Sequence, residues 1–129
     1  MDLVKKAIEI RHRAYAPYSN FLVGAAIKAK DGSIFYGCNV QNAAYPEGTC
    51  AEAGAISAMI AAGQTEILEV AVAADSSTPV TPCGGCRQKL SEFSKGDVMV
   101  IFADLTGEIG RMTIAQLLPG AFNKEQMEN

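Results

Sequence analysis

Three of the four cysteines are spaced so that they could hold one metal ion. Cys83 and Cys86 form a Cys-Gly-Gly-Cys segment after Pro82, and Cys50 lies 33 positions before Cys83. If Cys50 and Cys83 each begin a helix, the thiols meet at the carboxyl ends of parallel strands, where α/β sheets place their sites. Zinc accepts thiolates readily, and three protein ligands leave a fourth position for water, as in catalytic centres. The spacing therefore predicts an open, catalytic zinc site.

The fourth cysteine, Cys38, allows a different interpretation, a closed structural site with four cysteine ligands. Such sites usually pair two short-spaced motifs, whereas this sequence has a single Cys-x-x-Cys. A chain of 129 residues with this composition does not need a metal in order to fold. We interpret Cys38 as a small buried side chain and keep the zinc-stabilised binding module as an alternative. A thiol-redox role for Cys83 and Cys86 would leave Cys50 unexplained.

Glu52 follows Cys50 by two residues and could direct its carboxylate at a water on the metal. The segment Thr49-Cys50-Ala51-Glu52 also fits a capping box, in which Glu52 only satisfies a main-chain amide at the helix start. The Pro-Cys-x-x-Cys segment favours the catalytic interpretation, because deamination of a base requires a carboxylate beside a zinc ligand.

Composition and charge restrict the class of protein. Hydrophobic residues make up 49% of the chain and charged residues 19%, which predicts one globular domain over residues 1–129. The net charge of −3 disfavours binding to a nucleic acid polymer. No apolar stretch approaches the ~20 residues of a membrane span, and the first residues do not resemble a signal peptide, so we expect a cytoplasmic protein without a membrane partner.

The elements that must position the cysteines follow from hydrophobic periodicity and turn residues. Two continuous apolar runs, 67–74 and 98–103, are typical of strands buried on both faces, and a helix between them predicts a parallel crossover. The short connection after residue 103 predicts an antiparallel last strand. The sequence therefore predicts an α/β fold. Its further predicted elements are helices at 3–14, 51–62, 82–93 (with Thr81 as cap and Pro82 at its first position) and 113–118, and strands at 22–29, 33–38 and 108–112, with a frayed tail from Asn123.

Together, Thr49-Cys50-Ala51-Glu52 and the segment from Pro82 to Gln88 resemble the small, homotetrameric, zinc-dependent cytidine deaminases of the cytidine/deoxycytidylate deaminase superfamily. The resemblance extends over residues 15–26, 37–52, 82–88 and 116–122. It implies a three-layer α/β/α fold with a five-stranded mixed sheet, and hydrolytic deamination of the nucleosides cytidine and deoxycytidine in pyrimidine salvage. The nearly all-round apolar segment 51–62 agrees with a homotetramer whose active sites are shared across interfaces.

The resemblance also implies roles for the residues around the metal. Cys50, Cys83 and Cys86 hold Zn²⁺, and Glu52 carries every proton between water and the base. Three thiolates leave a net negative charge on the centre, which helix amides and an arginine must offset. Many relatives have that arginine directly after the catalytic glutamate, where this chain has Ala53. We therefore expect Arg87 to donate hydrogen bonds to a sulfur and tune the charge.

A second implied group of residues recognises the sugar. In the family, an Asn-x-Glu-Asn-Ala segment binds the ribose, and this chain has Asn39-Val40-Gln41-Asn42-Ala43. Gln41 is a departure from the pattern. Its oxygen can accept from a hydroxyl, but without the strength that a carboxylate adds. The resemblance therefore implies sugar binding by Asn39 and by a Gln41 of altered strength.

The remaining implied contacts surround the base. Phe21 corresponds to a ring that packs on the pyrimidine, and Phe122 to one supplied by a neighbouring subunit. Ala51, through its main chain, and Tyr45 complete the pocket. His12, the only histidine, has no partner motif and no assigned role.

Related deaminases leave other substrates open. Deaminases of transfer RNA or DNA share the zinc motif, but the acidic charge disfavours a polymer, and the resemblance associates an antiparallel last strand with enzymes that act on free nucleosides. An enzyme acting on a cytosine-containing analogue such as blasticidin S would share both the metal and Glu52. The ribose segment from Asn39 onward favours cytidine.

Overall fold

The computed structural model describes residues 2–127. The chain forms a five-stranded sheet, four α-helices and two 3-10 turns. The helices are α1 (Leu3–Arg11), α2 (Ala51–Ala61), α3 (Gly84–Glu92) and α4 (Ile114–Leu117), and the turns cover Tyr45–Glu47 and Lys124–Met127. The strands are β1 (Val23–Ala29), β2 (Ile34–Cys38), β3 (Ile67–Ala74), β4 (Ser94–Ala103) and β5 (Glu108–Thr113).

The strands follow the order β2-β1-β3-β4-β5 across the sheet. β3 and β4 are parallel and joined through α3, while the other three pairs are antiparallel. The predicted parallel crossover and the antiparallel last strand are confirmed. The antiparallel pairing of β1 with β3 has no counterpart among the sequence predictions, because it joins segments that are distant along the chain.

Helices cover both faces of the sheet, which confirms the three-layer fold. On one face α1 packs Leu3 and Ala7 against small residues of β1, β3 and β4. On the other face α2, α3 and α4 contribute Met59, Leu90 and Ile114 to the larger core. Because β3 and β4 are covered on both sides, neither strand alternates between apolar and polar residues.

A glycine allows α2 to approach β2 closely. A β-carbon on Gly37 would lie 2.5 Å from the main-chain oxygen of Ala51 and 2.6 Å from the main-chain nitrogen of Ala55. A contact of that kind would force backbone to move, so no larger residue fits there without displacing the helix. Gly37 therefore fixes the start of α2, where Cys50 and Glu52 lie.

Several predicted boundaries differ from the structure. The first helix ends at Arg11 instead of residue 14, because Arg13 and Ala14 donate to oxygens three positions back in tight turns. β4 begins at Ser94, four residues early, since Ser94 pairs with Ile67. The tail predicted to fray forms a 3-10 turn, up to residue 127.

No helix within residues 2–127 has the length and apolar character required to cross a bilayer.

Candidate active site

Two of the three predicted metal ligands occupy equivalent places at helix starts. Cys50 is the N-cap residue of α2, and Cys83 is the N-cap residue of α3, each with extended backbone. The predicted start of the third helix was therefore wrong: Thr81 does not cap it and Pro82 lies before it. Cys86 lies in the first turn of α3 and is fully buried. The cluster therefore lies at the N-terminal ends of two helices, where the main-chain amides carry partial positive charge.

The three thiols meet in a geometry that suits zinc. Their sulfur atoms all lie within 4.8 Å of one another, and the Sγ atoms of Cys50 and Cys83 are 3.8 Å apart. Tetrahedral zinc with Zn–S bonds of about 2.3 Å requires sulfur atoms about 3.8 Å apart. The cysteines are therefore positioned to hold a metal ion.

The cluster stops at three ligands. Among the residues that the structure describes, neither Cys38 nor Glu52 belongs to it. Cys38 is half-buried at the end of β2, where it pairs with Gly24 of β1. The closed site with four cysteine ligands is thus not formed, and three protein ligands leave a tetrahedral ion one open position.

The three thiols affect one another's pKa. Burial raises the pKa of Cys86, and the Glu52 carboxylate and the other two sulfurs raise it further. Burial is also the largest cause of the raised pKa of Cys50. The pKa of Cys83 is lowered, chiefly by the nearby main-chain N–H of Cys86. A bound dication offsets the mutual repulsion of three thiolates, so this donor set favours a cation.

Glu52 is a buried charged residue beside the cluster, with only 4% of its surface exposed. Burial raises its pKa, and the Cys86 thiol and the charge of Lys89 partly oppose that shift. The capping-box alternative is wrong, because Cys50 and not Thr49 is the N-cap, and Thr49 instead pairs with Val40 in a β-bridge. A buried carboxylate with a raised pKa holds a proton more readily than an exposed one, which suits a role in proton transfer.

Arg87 follows Cys86 but does not bond to a sulfur, which corrects the predicted contact. Its Nε donates to the main-chain oxygen of Pro82 at 2.7 Å. Its Nη1 donates to the main-chain oxygen of Leu117, and its Nη2 to the hydroxyl of Thr81, each at 2.9 Å. Carbonyl oxygens outcompete a soft sulfur for a guanidinium. Arg87 thus braces the segment that leads into Cys83.

A cavity of about 330 Å³ opens beside the segment that carries Asn39 and Gln41. Gln41 and Tyr45 both line it, and the ring of Tyr45 meets that of Tyr18 edge to face at a centroid distance of 6.0 Å. The lining residues are Tyr18, Ser19, Gln41, Asn42, Tyr45 and Gly48.

Asn39 does not line this cavity but bonds to the segment that holds Phe21. Its Oδ1 accepts from the main-chain N–H of Val23 at 2.8 Å, and its Nδ2 donates to the main-chain oxygen of Phe21 at 2.9 Å. The side chain of Phe21 is 41% exposed. The structure therefore brings Asn39 and Phe21 together by a direct bond.

Ala51 and Phe122 occupy different surroundings. Ala51 is fully buried in the first turn of α2. Phe122 is 59% exposed, its main-chain oxygen accepts from Gln88 at 3.0 Å, and it lines a separate cavity near the start of β4. Within one chain, Phe122 does not join Gln41 and Tyr45.

Some contacts in this region had no signal strong enough to predict. The main-chain amides of Tyr18 and Ser19 bind Gln41 across 23 and 22 positions, and Leu117 binds Arg87 across 30. The one local signal in that loop is Ser19, two residues before Phe21, because a serine hydroxyl often bonds to the main chain two residues on in a turn.

Comparison with known proteins agrees with this architecture. Residues 1–102 match the family described as the cytidine and deoxycytidylate deaminase zinc-binding region. The cytidine deaminase of Sporosarcina psychrophila is 45% identical over 97% of this chain and 92% of its own, and that of Halalkalibacterium halodurans is 44% identical over 98% and 96%.

Solved structures show the same fold. The cytidine deaminase from Burkholderia pseudomallei superposes with a TM-score of 0.88 at 41% identity, covering 93% of this chain and 96% of that one. The enzyme from Mycobacterium tuberculosis superposes with a TM-score of 0.82 at 33% identity, covering 93% and 94%. The three-thiol cluster, the buried glutamate beside it and these similarities lead to one conclusion: the chain belongs to the zinc-binding cytidine and deoxycytidylate deaminase family.

Proposed function

We propose that this chain catalyses the hydrolytic deamination of cytidine and deoxycytidine to uridine and deoxyuridine, with release of ammonia, as a step of pyrimidine salvage. The observation that carries the proposal is a buried carboxylate, Glu52, next to three thiols that fit one zinc ion. Neither feature alone specifies deamination, but a zinc ligand set with an adjacent, non-ligating glutamate is what this reaction requires.

Glu52 is the proposed proton carrier. Cys50, Cys83 and Cys86 would hold the zinc ion, which would serve as a Lewis acid and make a water molecule nucleophilic near neutral pH. As the water oxygen bonds to C4 of the base, Glu52 takes its proton and delivers it to ring N3. It then transfers the second proton to the exocyclic nitrogen, the C4–N bond breaks and ammonia leaves. The raised pKa of Glu52 supports a group that both accepts and returns protons.

The substrate contacts follow from the family resemblance, and two of the residues concerned, Gln41 and Tyr45, line the cavity. We assign base contacts to Phe21, Tyr45 and the main chain of Ala51, and a sugar contact to Asn39. The cavity volume of about 330 Å³ lies within the range of small-molecule sites.

Phe122 is proposed to act in a neighbouring subunit of a homotetramer. It is exposed in its own chain, and so are Ala58 and Ile60 on the outer side of α2. Exposed apolar residues of this kind suit burial between subunits. Because three metal-binding thiols must stay reduced, we propose that the enzyme works in the cytoplasm.

Blasticidin S or another cytosine-containing analogue remains the second candidate class of substrate, because such an enzyme would share Glu52 and the metal. The assay that separates the candidates offers the purified protein cytidine, deoxycytidine, free cytosine and blasticidin S, follows ammonia release, and counts zinc per chain. Ammonia from the two nucleosides with about one zinc per chain supports the proposal. Ammonia from blasticidin S alone, or from none at full zinc occupancy, overturns it.

A further inference from the structure

Gln41 makes three side-chain hydrogen bonds, all to one short loop. We call residues 16–22 the aromatic loop, since they include the exposed rings of Tyr18 and Phe21. The Oε1 of Gln41 accepts from the main-chain N–H of Tyr18 at 3.0 Å and of Ser19 at 3.2 Å. Its Nε2 donates to the hydroxyl of Ser19. The amide orientation is fixed by this pattern, because only the oxygen can accept from two N–H groups.

These bonds occupy the acceptor capacity of Gln41. An amide oxygen has two lone pairs, and both face main-chain donors of the aromatic loop. A sugar hydroxyl that approached Gln41 would therefore find no free acceptor. This differs from the expectation that Gln41 accepts from the ribose, and it implies that its main contribution lies elsewhere.

The aromatic loop needs such support. Asn20 has a φ of 58°, in the left-handed region that non-glycine residues seldom adopt. The Ser19 hydroxyl, which Gln41 holds, accepts in turn from the main-chain N–H of Phe21 at 3.1 Å. Two residues from Gln41, Asn39 binds the main-chain oxygen of Phe21. The polar side chains after β2 thus brace the loop along its length.

We propose that Gln41 is a positioning residue: it fixes the aromatic loop, and so the ring of Phe21, and does not act as an acceptor for the sugar. The inference rests on the proposed function, because it assigns the loop to the substrate-binding site. It predicts that replacing Gln41 lowers kcat/KM by the same factor for nucleosides with and without the 2′ and 3′ hydroxyls.

The test compares cytidine with 2′,3′-dideoxycytidine, which lacks the 2′ and 3′ hydroxyls of the sugar. Gln41→Met keeps the length of the side chain and removes every hydrogen bond, whereas Gln41→Glu keeps two acceptors for the loop amides. We expect Gln41→Met to lower kcat/KM about tenfold or more for both substrates, mainly through KM, with fold-losses that agree within about threefold. Gln41→Glu should restore most of kcat/KM for the dideoxy substrate. Gln64→Met, in the turn after α2, is the matched control and should change neither value.

Hydrogen–deuterium exchange of a peptide covering residues 16–22 supplies a readout that does not depend on activity. Exchange should be faster in Gln41→Met and in Ser19→Ala, and near the wild-type rate in Gln41→Glu, so the question stays decidable if Gln41→Met fails to fold. An exchange rate in Gln41→Met equal to that of the wild type overturns the inference. If Gln41→Met does not fold, a wild-type exchange rate in Ser19→Ala overturns it instead. A loss of kcat/KM in Gln41→Met that is seen with cytidine and not with 2′,3′-dideoxycytidine also overturns it. A wild-type protein that deaminates neither substrate would refute the proposed function, while exchange would still decide the role of Gln41.

Discussion

Arg87 and Leu117 are joined by a hydrogen bond of 2.9 Å, although 30 positions separate them along the chain. The same guanidinium binds the main-chain oxygen of Pro82 and the hydroxyl of Thr81. The segment that enters the metal site is thereby tied to the last helix. The three side-chain hydrogen bonds of Arg87 all go to oxygen atoms and none to a sulfur.

Replacing Arg87 should loosen this tie. Arg87→Ala removes three hydrogen bonds from a half-buried charged group, and we expect the free energy of unfolding to fall by about 2 to 4 kcal/mol. The rate of zinc release to a chromogenic chelator should also rise, because the segment before Cys83 loses its hydrogen bonds to Arg87. Arg87→Lys can make fewer of the three bonds and should lie between. Denaturant unfolding and chelator competition measure the two effects, and unchanged zinc release in Arg87→Ala would refute the bracing role.

Glu52→Gln should separate chemistry from folding. The amide has nearly the same shape but cannot shuttle protons, so we expect kcat to fall by a factor of about 10² to 10⁴ or more. Zinc content should stay at the wild-type level, since Glu52 is not one of the clustered ligands. Ammonia release and metal analysis on the same preparation test both statements. Retention of more than about a tenth of wild-type kcat would exclude Glu52 as the proton carrier.

The cysteines divide into two classes that metal analysis can distinguish. Cys50→Ala removes one of three ligands and should lower zinc affinity by at least two orders of magnitude, with loss of activity. Cys38→Ala is the matched control. It changes a thiol outside the cluster, so about one zinc per chain and the activity should remain. Loss of zinc in Cys38→Ala would revive the closed site with four cysteine ligands.

Gly37→Ala should disturb the start of α2. The new methyl group would press against the main chain of Ala51 and Ala55, which cannot yield as a flexible side chain would. We expect a loss of about 3 kcal/mol or more in the free energy of unfolding. Gly85→Ala is the control for stability, because its methyl meets only the end of the Lys89 side chain at 3.8 Å. In thermal unfolding, Gly37→Ala should lower the melting temperature relative to wild type and Gly85→Ala should raise it.

Asp104 predicts a dependence of stability on pH. Its Oδ1 accepts from the hydroxyl and the main-chain N–H of Thr106 and from the main-chain N–H of Gly107, and these bonds lower its pKa from the ordinary 3.8. A carboxylate with a lowered folded pKa stabilises the native state fully above its unfolded pKa, and the effect is lost as pH falls through the folded value. Asp104→Asn should therefore lower the melting temperature at pH 7, and the difference from wild type should shrink as the pH falls below the ordinary value of 3.8. A constant difference across this range would contradict the charge effect.

Much of the site could be predicted because its signals are local. The Cys-x-x-Cys spacing and the two-residue step from Cys50 to Glu52 can be read directly from the sequence. Cys50 and Cys83 are the N-caps of their helices, and these helix starts place the two motifs together. The apolar runs of β3 and β4 likewise indicated a sheet covered on both faces. Local pattern and tertiary structure agree wherever a short segment carries the whole constraint.

The errors arose where distant partners decide the structure. The polar residues that open β4 resemble a loop, yet Ser94 pairs with Ile67. Arg87 is directed by carbonyl oxygens, and Gln41 by amides more than 20 positions away. Hydrophobic periodicity carries no information on such polar contacts, since they depend on the completed fold.

The two outermost strands are also the shortest. β2 has 5 residues and β5 has 6, against 7, 8 and 10 for the inner three. Each border of the sheet therefore offers few unpaired main-chain groups to a passing chain. Short borders make poor templates for strand addition, so the arrangement that buries β3 and β4 also protects the enzyme against aggregation through its edges.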